Sequence, residues 1–434
     1  MKAHNDSRFG DLPESDQWLL VLLRSYVHDS EAHVPGEPSH TFWEPLLQSA
    51  VRHHIVPVLY EILLNNPIAG FCPAPLFQQL KSGFLQNGKR NAVRFHLFDR
   101  LLSDLNRHHI PVILLKGVYF AEYLYDHIGL RTMDDVDILV REEDLNKTVK
   151  MLMKQQYRIE SEIIAAEPSK FSDASFFIAP EYKHFPTVIS PDGYLRLEIH
   201  CTLTPGNFPV QINSTGLWER AVHIRENRYG LCPSDLINYL CCHTGMMHMF
   251  RGGLRDFIDL AMILKKKEKE IRWSDVAETA GRWKTERCLF LVFQLFQNLL
   301  GHHNGYSIPE EMIIPHVDDE IKTEAVKLLF SDFQTTRLLS KDYRQLWKQA
   351  DTIHKLRVLC RSFFPSKEIM TLMYPVGQST LRTWLYYPVR FRDLFRRYGS
   401  VYWKMIWGDK TIVRPVEQIN RLEAWLFRSE TWVQ

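Results

Sequence analysis

The sequence predicts an α+β fold in which a small mixed β-sheet is flanked by N-terminal and C-terminal helical segments. Apolar residues recur at three- and four-residue intervals over 15–108. From 110 the pattern changes to short apolar runs that alternate with polar residues, and helical spacing returns from about 233. The implied division is a helical region 1–108, an α/β core 109–232, a helical substrate-side domain 233–301 and a mostly helical, aromatic and basic region 302–434.

The elements follow in order. DQWLLVLLRSYVH, TFWEPLLQSAVRHHIVPVLYEILLNN and a long stretch around QQLKSGFLQNGKRNAVRFHLFDRLLSDLNRHH read as helices packed in a bundle. IPVILL is a strand, 118–126 a helix and VDILV a second strand. REEDLNKTVKMLMKQQY is then a helix whose acidic first turn suits the positive end of the helix dipole. AAEPSKFSDAS reads as a loop, and HFPTVIS and YLRLEIH as strands joined by a Pro-Asp-Gly turn. SDLINYLCCHTGMMHMF, GLRDFIDLAMILKKKEKE and WSDVAETAGRWKTERCLFLVFQLFQNLLG are helical, with Ser234 and Ser274 as N-caps. The rest is mostly helical, with a break at FFPSKEIMTLMYPVGQS.

At 434 residues and 45% hydrophobic content, the chain has material for two or three domains with sizeable cores. A net charge of +2 favours no polyanionic partner globally, so any electrostatic recognition must be local. The seven cysteines lack CxxC spacing, and MKAHNDSRFGDLPESDQ has no signal-type apolar core, which reads as a reducing cytoplasm. WLLVLL and LFLVFQLFQNLL are too short or too interrupted to span a bilayer.

The chemistry concentrates in two strands. Asp135 and Asp137, spaced i, i+2, share one face while Val136, Ile138 and Val140 take the other. In YLRLEIH, Glu198 and His200 share the polar face. Metal-assisted phosphoryl chemistry needs carboxylates that converge on divalent cations, so Asp135, Asp137 and Glu198 are the candidate catalytic ligands for Mg2+ or Mn2+. Lys116-Gly117, between a strand and a helix, either holds a polyphosphate through its cation and backbone N–H groups or merely caps the strand. Arg131 either grips phosphate or pairs with Asp134. His200 either orients Glu198, contacts phosphate or is structural, and His184 at the start of the hairpin approaches the same cleft. Asp256 and Asp259, at i, i+3, either contact the acceptor or tie the helix down. Cys241, Cys242, His243 and His248 match no standard zinc spacing. No Walker A loop, G-x-S-x-G elbow, G-x-G-x-x-G turn or H-E-x-x-H helix is present.

Strand, glycine turn, helix and a strand bearing DxD resemble, in that order, the nucleotidyltransferase superfamily of DNA polymerase β. More narrowly, LLKG, Arg131, DxDILV and LEIH resemble the family of uncharacterised nucleotidyltransferases. WEPLLQSAVRHHIVPVLYEILL and HTGMMHMFRGGLRDFIDLAMIL extend the resemblance over about 40–300. It implies a nucleotidyltransferase α/β core with flanking helices, Asp135, Asp137 and Glu198 as metal carboxylates, and an NTP as substrate. Such proteins often serve bacterial polysaccharide or peptide modification, which implies a hydroxyl on a small molecule, saccharide or peptide as acceptor, with nucleic acid not favoured. The superfamily's Gly-Ser is replaced by Lys116-Gly117, which supplies charge but not the hydroxyl's acceptor capacity. A nucleotide-binding sensor or scaffold without turnover, or a toxin-like enzyme acting on protein or tRNA, are the alternatives; three intact acids count against the sensor. In RTWLYYPVRFRDLFRRYGSVYWKMIWGDK the aromatics are expected to pack inward, with a peripheral membrane contact over 382–407 as the second reading.

Overall fold

A computed structural model describes residues 12–30, 42–160, 184–205, 208–301, 308–309, 317–331, 364, 370, 380–406 and 410–428. The chain opens with helices α1 (Glu14–His28), α2 (Trp43–Arg52), α3 (Val56–Leu64) and the 34-residue α4 (Ala74–Arg107). The sheet region holds β1 (Val112–Leu114), α5 (Lys116–Tyr123), β2 (Val136–Leu139), α6 (Glu142–Lys154), β3 (Arg158–Ile159), β4 (Val188–Ile189) and β5 (Arg196–His200). It continues through α7 (Ser214–Arg220), β6 (Val222–Arg225) and β7 (Arg228–Gly230). Helices α8 (Pro233–Cys242), α9 (Arg255–Lys266), α10 (Trp273–Trp283), α11 (Glu286–Leu300), α12 (Asp319–Leu329), α13 (Thr380–Ile406) and α14 (Lys410–Leu426) complete the described chain. The fold is therefore α+β, a mixed sheet with flanking helices.

Several boundaries differ from expectation for local reasons. The span from Trp43 breaks at His53–Ile55, where His54 adopts φ +59° and Pro57 opens the next helix. The span from Trp273 breaks at Lys284, a left-handed C-cap with φ +58°. Ser234 and Ser274 are not N-caps: α8 starts after Cys232 with Pro233 in its first turn, and α10 starts after Arg272. A proline at the first helical position carries a preset φ and no N–H to satisfy, so it selects the start one residue before the serine. After α8 the backbone widens into a π-helical turn, His243–Met247. The loop expected near 165–175 and most of the break at FFPSKEIMTLMYPVGQS lie outside the described residues.

The seven strands are ordered β3-β4-β5-β2-β1-β7-β6. β2 lies parallel to β5 and antiparallel to β1, and every residue of β1 and β2 is buried. The turn between β4 and β5 uses the expected chemistry. Gly193 has φ +80°, and Asp192 accepts hydrogen bonds from Ser190 Oγ at 2.6 Å and Tyr194 N at 3.0 Å.

The first helix packs against α11, about 275 residues further along the chain. Arg24 on α1 donates to the carbonyls of Leu299 at 2.8 Å and Asn298 at 3.0 Å, and so caps the C-terminus of α11. Asp16, also on α1 and buried, pairs with Arg52 of α2 at 2.5 Å. On α13 the expected inward packing fails at four positions, where Trp384, Phe391 and Phe395 are exposed and Arg390 is buried. Arg382, Arg392 and Arg396 face solvent as expected, and Tyr386 and Tyr387 are half-buried. Aromatic residues occur around much of this helix, so periodicity alone does not select its packed face. The side chains of Trp403 and Trp407 lie outside the described residues. Among the described residues, no helix is long and apolar enough to cross a membrane.

The π-helical turn is tightly seated. A Cβ at Gly245 would stand 2.5 Å from Cys288 Sγ and 3.3 Å from Phe250. Helix propensity favours alanine over glycine by about 1 kcal/mol, whereas overpacking costs about 1–3 kcal/mol. Gly245→Ala is therefore expected to lower stability by roughly 1–2 kcal/mol in urea unfolding. In a Cys288→Ala background, which removes the nearer obstacle, most of that loss should vanish.

Candidate active site

Parallel pairing of β2 with β5 sets the centre of the site. Asp137 and Glu198 are Cα partners in register, so their side chains leave the same face of adjacent strands. His200, two residues beyond Glu198, shares that face and places Nε2 2.8 Å from Asp137 Oδ1 and 3.7 Å from Glu198 Oε2. His184 bridges to His200 through its backbone and sets Nε2 3.6 Å from Glu198 Oε2. One donor atom each from Asp137, Glu198 and His200 lies within 4.8 Å of the others, a grouping able to hold a metal ion.

Asp135 is not on the strand as expected. β2 starts at Val136, and Asp135 occupies the bend before it, from which it lines the same cleft as Asp137 and Glu198. Burial, and then the charge of Asp137, push the Asp135 carboxyl above the usual aspartate range, while Lys116 partly offsets them. The two aspartates thus repel each other within the cleft, a tension that a bound cation would relieve.

Lys116 faces this cluster rather than solvent. It is the first residue of α5, with φ +34°, a sparsely allowed conformation that carries the chain directly from β1 into the helix. Its Nζ lies 3.8 Å from Asp137 Oδ1 and 5.5 Å from the centre of the Tyr239 ring. Burial disfavours the ammonium, but Asp137, Tyr239 and Glu198 outweigh burial and raise its pKa. Gly117 serves close packing: a Cβ there would meet Arg131 Nη1 at 3.0 Å and Met133 Cβ at 3.3 Å.

The loop that delivers the aspartates is held through its carbonyls. From α4, Asn87 donates to Gly129 O at 2.8 Å, and Asn91 donates to Ile128 O at 2.6 Å and Arg131 O at 2.9 Å. Arg94 donates to Met133 O. Arg131 lines the cleft but pairs with Asp259 rather than with Asp134. Its Nε and Nη2 reach Asp259 at 3.2 and 2.7 Å, and its Nη1 donates to Thr132 O at 2.7 Å. Asp259 is fully buried and also accepts from Tyr125 Oη at 2.8 Å, so it faces no acceptor. Asp256 is buried too, where it accepts from Thr244 Oγ1 at 3.1 Å and stands 3.7 Å from His243 Nδ1.

His243, His248 and Arg255 line the same cleft as the acids, a cavity of about 250 Å³. Periodicity did not single out these residues, because the π-helical turn breaks the 3.6-residue repeat between them. The paired glycines Gly252 and Gly253, the second at φ +77°, were the available signal of a sharp return into α9. Cys241 and Cys242 are buried thiols held protonated by burial, Cys242 with a pKa pushed up to about 12. They form no metal group with the histidines among the described residues.

The Arg131–Asp259 pair is separable from substrate contact by experiment. Arg131→Met leaves Asp259 buried without its counter-charge, and a loss of about 3–5 kcal/mol in chemical denaturation is expected. Arg131→Met with Asp259→Leu should lose much less than the two single losses added together. Additive losses would mean that the pair is not coupled.

Searches of curated proteins and of solved structures give no match. A family model described as "Uncharacterised nucleotidyltransferase" matches residues 39–301, which include the sheet, α4 and both walls of the cleft. That match covers more than half of the chain, which therefore belongs to this nucleotidyltransferase family and is an enzyme that transfers nucleotidyl groups.

Proposed function

We propose that the chain moves a nucleoside monophosphate from an NTP to a hydroxyl of a small molecule, saccharide or peptide. The observation that carries this reading is the register of Asp137 beside Glu198 on paired strands, with Asp135 lining the same cleft. In the reaction the acceptor oxygen forms a bond to the α-phosphorus. The bond from that phosphorus to the bridging oxygen breaks, pyrophosphate leaves with the electron pair, and the hydroxyl proton is released.

Asp135, Asp137 and Glu198 would hold Mg2+ or Mn2+, since clustered carboxylate oxygens suit hard divalent cations. When bound, the metal supplies charge neutralisation at the phosphate and lowers the proton affinity of the acceptor hydroxyl. His200, at 2.8 Å from Asp137, orients that carboxylate, and His184 steadies Glu198. Lys116 balances the buried charge of Asp137 and lies close enough to the cleft to meet a phosphate oxygen. The acids are thus presented before substrate arrives, which limits reorganisation during the reaction.

Incubation with each labelled NTP, Mg2+ or Mn2+ and an acceptor panel should give metal-dependent pyrophosphate release and a labelled acceptor. Asp137→Asn should slow turnover by roughly a thousandfold, equivalent to about 4 kcal/mol, measured on protein shown to be folded by circular dichroism. Normal turnover in an Asp135→Asn, Asp137→Asn double variant would reject the mechanism. Because Asp135 retains its proton to higher pH than an ordinary aspartate, metal binding should expel protons and weaken as pH falls toward that raised pKa. Calorimetry in buffers of different ionisation enthalpy measures the proton release, and its absence would remove Asp135 from the ligand set.

A further inference from the structure

An NTP brings several negative charges on its β- and γ-phosphates, and the two cations expected to meet them are already engaged. Lys116 lies beside Asp137, and Arg131 is locked in its fork with Asp259. A further cation, Arg255, stands on the first turn of α9. With His243 and His248 it lines the same cleft as Asp134, Asp135 and Glu198.

Arg255 is half-buried and poorly supplied with acceptors. Its Nη1 reaches Thr132 O at only 3.5 Å, and its buried Nε makes no hydrogen bond, with Asp256 Oδ1 at 3.8 Å. A guanidinium with open donors is costly to bury unless an anion completes it, and its planar fork matches two phosphate oxygens. The two imidazoles stand beside it with ring centres 4.2 Å apart. Asp256 lies behind both groups, within 3.7 Å of His243 Nδ1 and 3.8 Å of Arg255 Nε, and is fixed by Thr244 Oγ1. It is a positioning residue for this wall, not a contact to the acceptor.

We propose that Arg255, with His243 and His248 beside it, is the polyphosphate wall of this cleft and holds the β- and γ-phosphates of the NTP and then the departing pyrophosphate. This rests on the nucleotidyl-transfer reading of the acid cluster and reassigns to Arg255 the role expected of Arg131. Base and ribose lie away from this wall, so it discriminates triphosphate from monophosphate and not one base from another.

The test is calorimetric titration of the full chain, with Mg2+ present, by α,β-methylene analogues of the four NTPs, by the matching NMPs and by pyrophosphate. Arg255→Gln should weaken the four analogues and pyrophosphate alike by about tenfold or more, with NMP affinity within about twofold. Arg255→Lys, which keeps the charge but loses the fork, should fall between wild type and Arg255→Gln, and it decides the matter if the glutamine variant does not fold. His243→Gln should give a smaller loss of the same pattern. Wild-type binding of the analogues with no loss in the Arg255 variants, or an equal loss of NTP and NMP affinity, overturns this assignment and leaves the transfer reading standing. A folded wild type that binds no nucleotide with Mg2+ or Mn2+ defeats both.

Discussion

The site depends on the buried fork between Arg131 and Asp259. It joins the loop that delivers Asp134 and Asp135 to helix α9, which carries Arg255 in its first turn. Desolvating two charges costs several kcal/mol each, and their attraction recovers that cost only with good geometry and further hydrogen bonds. Those are present: Tyr125 occupies Asp259, Thr132 O takes the third arm of Arg131, and the Arg131 carbonyl is held by two asparagines of α4. The net contribution to stability is modest by this reasoning. What the arrangement supplies is a fixed distance between the two walls of the cleft.

Within that frame the acids are held in mutual repulsion. Half-buried Asp135 stands near buried Asp137, and a single ammonium, from a residue in a strained left-handed conformation, offsets part of the charge. Strain and unrelieved charge of this kind belong to a preorganised site, where supporting packing fixes groups in positions they would not choose alone. The in-register strands contribute most of this. Moving β5 by one residue against β2 would send Glu198 to the opposite face, and the buried Leu197 and Ile199 on that opposite face prevent the slip.

Much of the strand chemistry was legible before any coordinates. The two-residue period set Glu198 and His200 on one face, and the short apolar run around Val136 marked β2, because strand geometry leaves few alternatives once one face must bury. The position of Asp135 was less legible, since strand ends depend on where the loop before them is anchored, here by Asn91 and Arg94 about 40 residues upstream. The partner of Arg131 lies 128 residues away, whereas Asp134 is the nearest acid in sequence. Ser234 and Ser274 resemble caps by side-chain type alone, but α8 and α10 each begin one residue earlier, at Pro233 and Trp273. The outward aromatic face of α13 escaped periodicity because its aromatics surround much of the helix.

The Arg131–Asp259 fork also bears on how such a chain can be inherited. The sheet and the helices behind it are contiguous segments, which invites the idea that a lineage could exchange one helical wall for another and so acquire a new acceptor. A crossover between residues 131 and 259 would part the two members of the pair. Unless the incoming segment carried its own carboxylate at the same depth, the recombinant would bury a lone guanidinium beneath the catalytic loop. Recombination is thereby confined to exchanges that move both charges together, and change in acceptor choice is steered toward point substitutions along the rim of the cleft.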